Sequence, residues 1–311
     1  MQKAARNKTI ATPPEEGAEY LARCLTPDAL NSGTPVCDVT INGDMLVVCP
    51  QLPRACAGLV IADPPYNLRK SYNGSVFSRK SAEEYEDYTR TWLTAVRPLL
   101  KEDGSIYVCC DWESSLIIGR VMQELFTVRS RITWQREKGR GAKKNWKNSM
   151  EDIWFATVGA DYTFNLDAVR LRRRVVAPYR VDGRPKDWVE DARGGYRDTC
   201  PSNFWDDITV PFWSMPENTA HPTQKPEKLL AKLILASSNV GDTVLDPFLG
   251  SGSTSVTAKK LGRHYIGIEL EAQYCQWAEQ RLERAENDKR IQGYESGVFT
   301  ARNYCIPKTT R

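Results

Sequence analysis

The chain has 311 residues, of which 41% are hydrophobic, so it can bury a sizeable core as one large α/β domain or as one domain with an insertion. No apolar run approaches the roughly 18 residues that span a membrane, and the polar residues 1–8 lack a signal-peptide segment, which argues against a membrane partner and favours the cytoplasm. Nine cysteines without a Cys-x-x-Cys pair and two histidines argue against a disulfide framework and a metal site, while a net charge of +4 is too small to indicate nucleic acid by itself.

The amino-terminal residues 1–36 contain prolines at positions 13, 14, 27 and 35, and we predict an irregular arm there. The core is predicted to begin with a short strand over Cys37–Ile41, which ends at the turn Asn42-Gly43-Asp44. Asp44 would then lie at the carboxyl end of a strand.

The next strand ends in the most informative motif of the chain. The apolar run Gly58–Ala62 predicts a buried strand of a parallel sheet, and Asp63-Pro64-Pro65-Tyr66 breaks it, because two prolines cannot continue a central ladder. Open α/β sheets bind ligands at the carboxyl ends of their strands. Asp63 alone could be a turn cap and Tyr66 alone a core aromatic, but the pair joined by two prolines favours a site for a flat, amine-bearing ring.

Helices and strands alternate through much of the chain, as in a parallel α/β sheet. The helix predicted over 81–100 begins with a capping box, Ser81 to Glu84. The other elements predicted from apolar periodicity are strands over 105–110, 127–135 and 152–158 and helices over 116–126, 226–238 and 270–287.

Basic and aromatic residues are interleaved between Arg129 and Lys147, which predicts a surface that follows nucleic-acid phosphates. For any single lysine, a solvated face is the simpler interpretation. The candidate nucleic-acid contacts in this stretch are Arg136, Lys138, Arg140, Lys143 and Lys144.

Residues 165–220 interrupt the alternation of helices and strands. They contain five prolines and no clear helical period, and ordinary connections inside a compact sheet are shorter. Arginines and acidic residues are mixed here, a pattern that fits contacts to both phosphates and base edges. We predict an inserted region with its own task, in which Arg172, Arg173 and Arg174 are candidate DNA contacts.

A strand, a glycine-rich turn and a second strand follow this region. Thr243–Asp246 and His264–Glu269 predict the strands, and Gly250 and Gly252 lie in the turn. Glu269 stands near the spacing of about 20 residues at which an acid accepts hydrogen bonds from ribose hydroxyls. The pattern predicts a nucleoside cofactor, and NAD satisfies it as well as other nucleosides do.

Three motifs in this order resemble those of S-adenosylmethionine-dependent DNA amino-methyltransferases. They are Asp63-Pro64-Pro65-Tyr66, His221-Pro222-Thr223-Gln224-Lys225-Pro226 and Asp246-Pro247-Phe248-Leu249-Gly250-Ser251-Gly252. Because the Asp-Pro-Pro-Tyr motif precedes the glycine turn, the order is similar to that of the circularly permuted β group, over roughly residues 38–284.

The resemblance implies an α/β fold of the Rossmann-like methyltransferase type, with a mostly parallel twisted sheet and helices on both faces. It also implies an inserted target-recognition region between two halves of the core. The domains expected on this basis are an irregular arm over 1–36, a catalytic half over 37–164, a target-recognition region over 165–220, a cofactor-binding half over 221–290 and a tail over 291–311.

The resemblance implies S-adenosylmethionine as the cofactor. Asp246 and Lys225 are the candidates for its methionine ammonium and carboxylate, Glu269 for its ribose, and Asp44 for its adenine end. The full set of expected cofactor contacts is Asp44, Thr223, Gln224, Lys225, Asp246, Phe248, Gly250, Gly252, Thr254 and Glu269.

The implied reaction is site-specific methylation of the exocyclic N6 amine of an adenine flipped out of double-stranded DNA. The expected catalytic residues are Asp63, Pro64, Pro65 and Tyr66: the carboxylate and a backbone carbonyl accept the amine N–H bonds, and the ring stacks on the base. A motif that begins with Asp favours adenine N6, and cytosine N4 is the alternative. Carbon-5 methylation is disfavoured, because its cysteine nucleophile lies in a Pro-Cys dipeptide that this chain lacks.

More distant alternatives are an RNA or protein methyltransferase, an NAD-dependent oxidoreductase and a non-catalytic DNA-binding protein. Besides double-stranded DNA, the candidate partners are a cognate restriction endonuclease, as in a restriction–modification system, and a second copy of the chain.

Overall fold

The computed structural model describes residues 6–10, 12–30, 35–68, 70–72, 75–136, 143–175, 179–191 and 194–301. Its helices are α1 Pro14–Ala22, α2 Pro27–Leu30, α3 Met45–Val48, α4 Ala82–Val96, α5 Trp112–Leu125, α6 Glu227–Ser237, α7 Ser253–Lys260 and α8 Ala272–Asn287. Its strands are β1 Val39–Asn42, β2 Ala57–Ala62, β3 Lys70–Tyr72, β4 Ser75–Phe77, β5 Leu100–Cys110, β6 Thr127–Gln135, β7 Met150–Thr157, β8 Leu171–Arg174, β9 Arg180–Val181, β10 Arg184–Pro185, β11 Val189–Asp191, β12 Gly194–Thr199, β13 Phe204–Trp205, β14 Thr243–Asp246, β15 His264–Glu269, β16 Tyr294–Glu295 and β17 Val298–Thr300.

The central sheet has eight strands in the order β1-β15-β14-β2-β5-β7-β6-β13. Its pairs are parallel except those of β7, which runs antiparallel to both β5 and β6. The amino end of β7 therefore lies at the edge where the other strands have their carboxyl ends. The predicted fold, a mostly parallel α/β sheet, is confirmed.

Helices cover both faces of this sheet, because the central strands are apolar on both sides. In β2, Val60 and Ala62 join the core under α4 and α5, whereas Leu59 and Ile61 join the core under α6. Every residue of α6 is buried. This helix lies between the central sheet and a second, smaller sheet, so it has no face toward water.

The smaller sheet has the order β11-β12-β8-β17-β16, and it packs on α6 through Leu171 and Phe299. The expected tail over 291–311 is wrong for β16 and β17, which pair with each other and, through β17, with β8. Residues 165–220 are also not one separate unit, because β13 extends the central sheet. These pairings join segments that are far apart in the chain, so no local sequence pattern predicts them.

The expected irregular arm over 1–36 is wrong for α1 and α2. Pro14 occupies the first turn of α1, where a missing N–H leaves no hydrogen bond unmade. The helix packs against α8, and the Tyr20 hydroxyl donates to Glu283 on that helix at 2.7 Å. Within the described part of the chain, no helix is long and apolar enough to cross a bilayer.

Candidate active site

A cavity of about 370 Å³ opens at the carboxyl edge of the central sheet, where β1, β2, β14 and β15 end. Pockets that hold small ligands and cofactors have volumes of roughly 300 to 1,000 Å³. The cavity brings together predicted catalytic and cofactor residues from all three motifs. Those that line it are Asp44, Asp63, Pro64, Pro65, Tyr66, Thr223, Gln224, Lys225, Asp246, Phe248, Gly250, Thr254 and Glu269.

Asp63 and Tyr66 line the cavity directly after β2, as predicted. The Tyr66 hydroxyl donates to Asp63 Oδ1 at 2.9 Å. The Tyr85 hydroxyl of α4 donates to the carbonyl of Pro65 at 3.0 Å, which fixes the corner between the two prolines and the ring. Burial raises the pKa of the Tyr66 phenol, and the Asp63 and Glu151 carboxylates raise it further, so this hydroxyl stays protonated and donates.

Glu151, which no sequence pattern predicted, also belongs to this cluster. It lies near the amino end of β7 and is only 4% exposed. Its Oε2 lies 3.2 Å from the Tyr66 hydroxyl and 3.3 Å from Lys225 Nζ, and its Oε1 accepts from Arg136 Nη1 at 2.5 Å. Only the antiparallel direction of β7 brings this carboxylate to the carboxyl edge of its neighbours.

Lys225, which was predicted to contact the methionine carboxylate of the cofactor, is paired with Asp63 and Tyr66. Its Nζ donates to Asp63 Oδ2 at 2.6 Å and to the Tyr66 hydroxyl at 3.1 Å. Burial lowers the pKa of Lys225, but Asp63 and Glu151 together raise it more, so the net pKa is raised and the side chain is an ammonium. The lysine therefore belongs to the cluster that Asp63, Tyr66 and Glu151 form.

Asp246 and Glu269 line the cavity at the ends of β14 and β15. Asp246 Oδ1 accepts from the Phe248 amide at 2.9 Å, and Glu269 Oε2 accepts from the Gly250 amide at 2.7 Å, which folds the glycine-rich turn around the ends of β14 and β15. Burial raises the pKa of both carboxyls to about 7. A nearby cation would stabilise the ionised form of each carboxyl, and each oxygen that accepts one hydrogen bond keeps a second lone pair for a ligand.

Gly252 does not line the cavity, so its predicted direct contact with a cofactor is corrected. Its φ is +85°, and a Cβ there would lie 2.6 Å from the Cβ of Ala278, so the glycine allows α8 to approach. Gln224 lines the cavity, and its side chain accepts from the Thr219 amide at 2.8 Å and donates to the Glu217 carbonyl at 2.6 Å. Its predicted contact with a cofactor stays a prediction.

Asp44 lines the cavity and also caps α3, because its side chain accepts a hydrogen bond from the Leu46 amide at 2.8 Å.

His221 is part of one of the three motifs, but it was not predicted to line the site. It lines the cavity beside Gly250, where a Cβ would lie 3.1 Å from its Nε2, and it accepts from the Thr223 amide at 3.3 Å.

Arg281 of α8 holds the glycine-rich turn from behind and was not predicted. Its Nη1 donates to the Ser251 carbonyl at 2.7 Å, and its Nη2 donates to Glu227 Oε1 at 3.0 Å. All three residues are buried. The turn is thus tied to the first residue of α6, which follows the Lys225 segment.

The predicted DNA contacts have three different outcomes. Arg136 is paired with Glu151, and Arg172 is paired with Asp198 through two hydrogen bonds of 2.7 Å. Each of these guanidinium groups is therefore partly neutralised by a carboxylate of the protein. Lys143, Lys144 and Arg174 are exposed, while Arg173 lies 3.8 Å from Asp206. Lys138 and Arg140 lie outside the described residues.

The chain is similar to known proteins over most of its length. A family model described as DNA methylase matches residues 57–280. The DNA adenine methyltransferase YhdJ of Escherichia coli (strain K12) is 36% identical over 258 residues, which are 79% of this chain and 83% of that protein. The Type II methyltransferase M.HpaI of Haemophilus parainfluenzae is 34% identical over 241 residues, covering 76% of this chain and 70% of that protein.

Among solved structures, the M1.HpyAVI–SAM complex has the same fold, with a TM-score of 0.55 and 24% identity over 78% of this chain and 98% of that one. The family match covers the strands that carry Asp63, Asp246 and Glu269, and so includes both sides of the cavity. The predicted family is confirmed, and the chain belongs to the DNA methylase family.

Proposed function

We propose that the protein transfers the methyl group of S-adenosylmethionine to the exocyclic N6 amine of an adenine in double-stranded DNA, at a specific site. The observation that carries this proposal is the single cavity in which Asp63 and Tyr66 face the glycine-rich turn with Asp246 and Glu269. Family membership supports the reaction class, and the relative named a DNA adenine methyltransferase supports adenine N6 as the target atom over cytosine N4.

The residues of the cavity fit S-adenosylmethionine. The buried carboxyls of Asp246 and Glu269, each with a pKa raised to about 7, lack a cation that would stabilise their ionised forms. The cofactor carries an ammonium and a sulfonium, and it carries ribose hydroxyls that a strand-end acid accepts. In this assignment Asp246 faces the methionine ammonium, Glu269 the ribose and Asp44 the adenine end, with Thr223, Phe248, Gly250 and Thr254 forming the walls.

In this proposal the cluster around Asp63 makes the target amine nucleophilic. The lone pair of an aromatic amine is delocalised into its ring, and Asp63 and the Pro64 carbonyl localise it by accepting the two N–H bonds. Tyr66 stacks on the base, which offsets part of the few kcal/mol that extrusion from the duplex costs. The bound cofactor supplies an electrophilic methyl group whose bond to sulfur breaks as the nitrogen lone pair forms the new bond.

The nitrogen then loses a proton, and Asp63 is the acceptor in reach of it. No covalent intermediate with the protein is required, so the enzyme acts mainly by placing the reactants. Placement of this kind contributes on the order of 7 to 11 kcal/mol in well-oriented reactions.

The experiment incubates the protein with labelled S-adenosylmethionine and unmethylated genomic DNA, followed by digestion to nucleosides and mass spectrometry. The expected product is N6-methyladenine, lost in Asp63→Ala and retained in the control Asp161→Ala, which alters an exposed residue of the loop after β7. N4-methylcytosine as the product would keep the family and refute the target atom. Cofactor binding without any methylated base would refute the proposed reaction.

Two further partners belong to the proposal: a cognate restriction endonuclease, which the similarity to a protein named a Type II methyltransferase supports, and a second copy of the chain. A restriction endonuclease acting at the same DNA site would be blocked by the methylated product, so digestion before and after methylation tests it. A second copy of the chain is tested by the molar mass of the protein in solution, alone and with DNA.

A further inference from the structure

The Asp63 carboxylate already accepts hydrogen bonds on both oxygens. Oδ1 is bound by the Tyr66 hydroxyl at 2.9 Å and Oδ2 by the Lys225 ammonium at 2.6 Å. The proposed function, on which this inference rests, requires Asp63 to accept an N–H bond from the target amine. Lys225 Nζ is thus a nitrogen donor at one of the positions that the substrate nitrogen needs, and it must give way when the base enters.

A lysine cannot leave a buried carboxylate unless another group receives it. Lys225 is 8% exposed, and an unpaired buried ammonium would cost several kcal/mol. Glu151 Oε2 lies 3.3 Å from Lys225 Nζ. A charge-assisted hydrogen bond measures about 2.7 to 2.9 Å, so a displacement of about half an ångström toward Glu151 completes the new pair, and a displacement of about one ångström away from Asp63 takes Nζ out of hydrogen-bonding range of that carboxylate.

Glu151 is suited to this task because it is held in place independently of Lys225. Its other oxygen accepts from Arg136 at 2.5 Å, and the residue is anchored on β7. Asp63 and Glu151 carry two negative charges, and Lys225 and Arg136 carry two positive ones. Movement of the ammonium from one carboxylate to the other leaves this balance unchanged.

We propose that Glu151 is a positioning residue that accepts the Lys225 ammonium when the target adenine takes the place of Lys225 on Asp63. The exchange frees Asp63 Oδ2 for the amine N–H bond. It also removes a cationic donor from Asp63, which makes that carboxylate a better acceptor for the proton that the methylated nitrogen releases. Glu151 itself touches neither the base nor the methyl group.

The first experiment is the isosteric change Glu151→Gln, measured by single-turnover methylation of unmethylated genomic DNA. Without a charged alternative, Lys225 stays on Asp63, and the rate is expected to fall between about ten-fold and the hundred-fold that a misplaced reactant costs. Affinity for S-adenosylmethionine is expected to stay within about two-fold of that of the wild type. Glu151→Asp, which keeps the charge, is expected to restore part of the rate.

The matched control is Asp152→Asn, the adjacent buried acid on β7. Its Oδ1 accepts from Thr133 at 3.0 Å, and it does not line the cavity. It is expected to keep the wild-type rate. A Glu151→Gln protein that is as fast as the wild type refutes the inference, while adenine methylation by the wild type in the same assay is the separate test of the proposed function.

A double variant distinguishes an exchange partner from a residue that only stabilises the site. If Glu151 acts through Lys225, then adding Glu151→Gln to Lys225→Met changes the rate by less than about two-fold. Losses that multiply in the double variant refute the exchange.

A crystal structure of the wild type with S-adenosylhomocysteine and DNA that contains its site tests the same point without substitutions. Lys225 Nζ is expected within hydrogen-bonding distance of Glu151 and beyond it from Asp63. An intact Lys225–Asp63 pair beside a bound target amine would overturn the inference.

Discussion

Binding of S-adenosylmethionine is predicted to strengthen as pH rises to about 7 and to level off above it. Burial in the cavity raises the pKa of Asp246 and of Glu269 to about 7. In the proposed complex the cofactor ammonium beside Asp246 and the ribose hydroxyls that donate to Glu269 stabilise the ionised carboxylates and therefore lower these pKa values. Below pH 7 the free protein holds protons that binding must release, whereas above pH 7 the carboxyls are already ionised.

The magnitude follows from the size of the shift. For a group with a pKa of about 7 that must be ionised in the complex, each pH unit below 7 weakens binding about ten-fold, or about 1.4 kcal/mol. Asp246 alone would then make the affinity about ten-fold weaker near pH 6 than near pH 8, and the two carboxyls together about a hundred-fold weaker.

Isothermal titration calorimetry across this pH range measures both the affinity and the number of protons released, the latter from buffers of different ionisation enthalpy. Asp246→Asn should remove one of the two protons and flatten the pH profile accordingly, whereas Asp161→Asn, on an exposed loop, should leave the profile unchanged. An affinity independent of pH, or one that increases toward acid, would show that the ammonium does not face Asp246 and the ribose does not face Glu269.

The same cavity and its supports lead to four further expectations. The raised pKa values of Asp246 and Glu269 mean that their contribution to the stability of the free protein is lost as pH rises through about 7. Because the cofactor stabilises the ionised carboxylates, it should raise the melting temperature more near pH 8 than near pH 6. Gly252→Ala should lower the free energy of unfolding by about 1 to 3 kcal/mol more than Gly241→Ala, since both glycines have a φ of +85° but only the first would press a Cβ against α8; equal losses would contradict the packing argument. Arg281→Ala should cost about 1.5 to 3 kcal/mol in chemical denaturation by removing the charge-assisted hydrogen bond to Glu227, which keeps Lys260 as its second partner, against about 0.5 kcal/mol for the exposed Arg284→Ala. Lys144→Ala should lower the salt dependence of DNA binding by about one unit of slope, equally for all sequences, and an unchanged slope would remove this residue from the DNA surface.

Local sequence patterns were sufficient to predict site residues where the functional side chains lie in the same motif as the residues that end the strand. Two prolines after an apolar run can only end a central strand, so the place of Asp63 and Tyr66 beyond β2 could be predicted. The same holds for the turn between β14 and β15, where the glycines and Glu269 are close in sequence. Family, fold and enzyme class followed from these motifs and are confirmed.

Interpretation by composition did not identify partners that come from distant segments. Arg136 and Arg172 were predicted to contact DNA because they lie in basic stretches, which stays a prediction, but the sequence does not indicate that each is paired with a carboxylate, Glu151 or Asp198. The amino-terminal helix α1 was missed because its prolines suggested an irregular arm, although one of them simply begins the helix.

The sequence by itself therefore determined the family, the order of strands and helices around the motifs, and the residues that end β2, β14 and β15. Only the tertiary structure decided how those ends combine. Strand direction and neighbour order depend on packing between segments separated by many residues, and the antiparallel entry of β7 is what delivers Glu151 to Lys225 and Asp63. No regular sequence spacing predicts a charge cluster of this kind, because it forms only where strands from different parts of the sequence meet at one edge of the sheet.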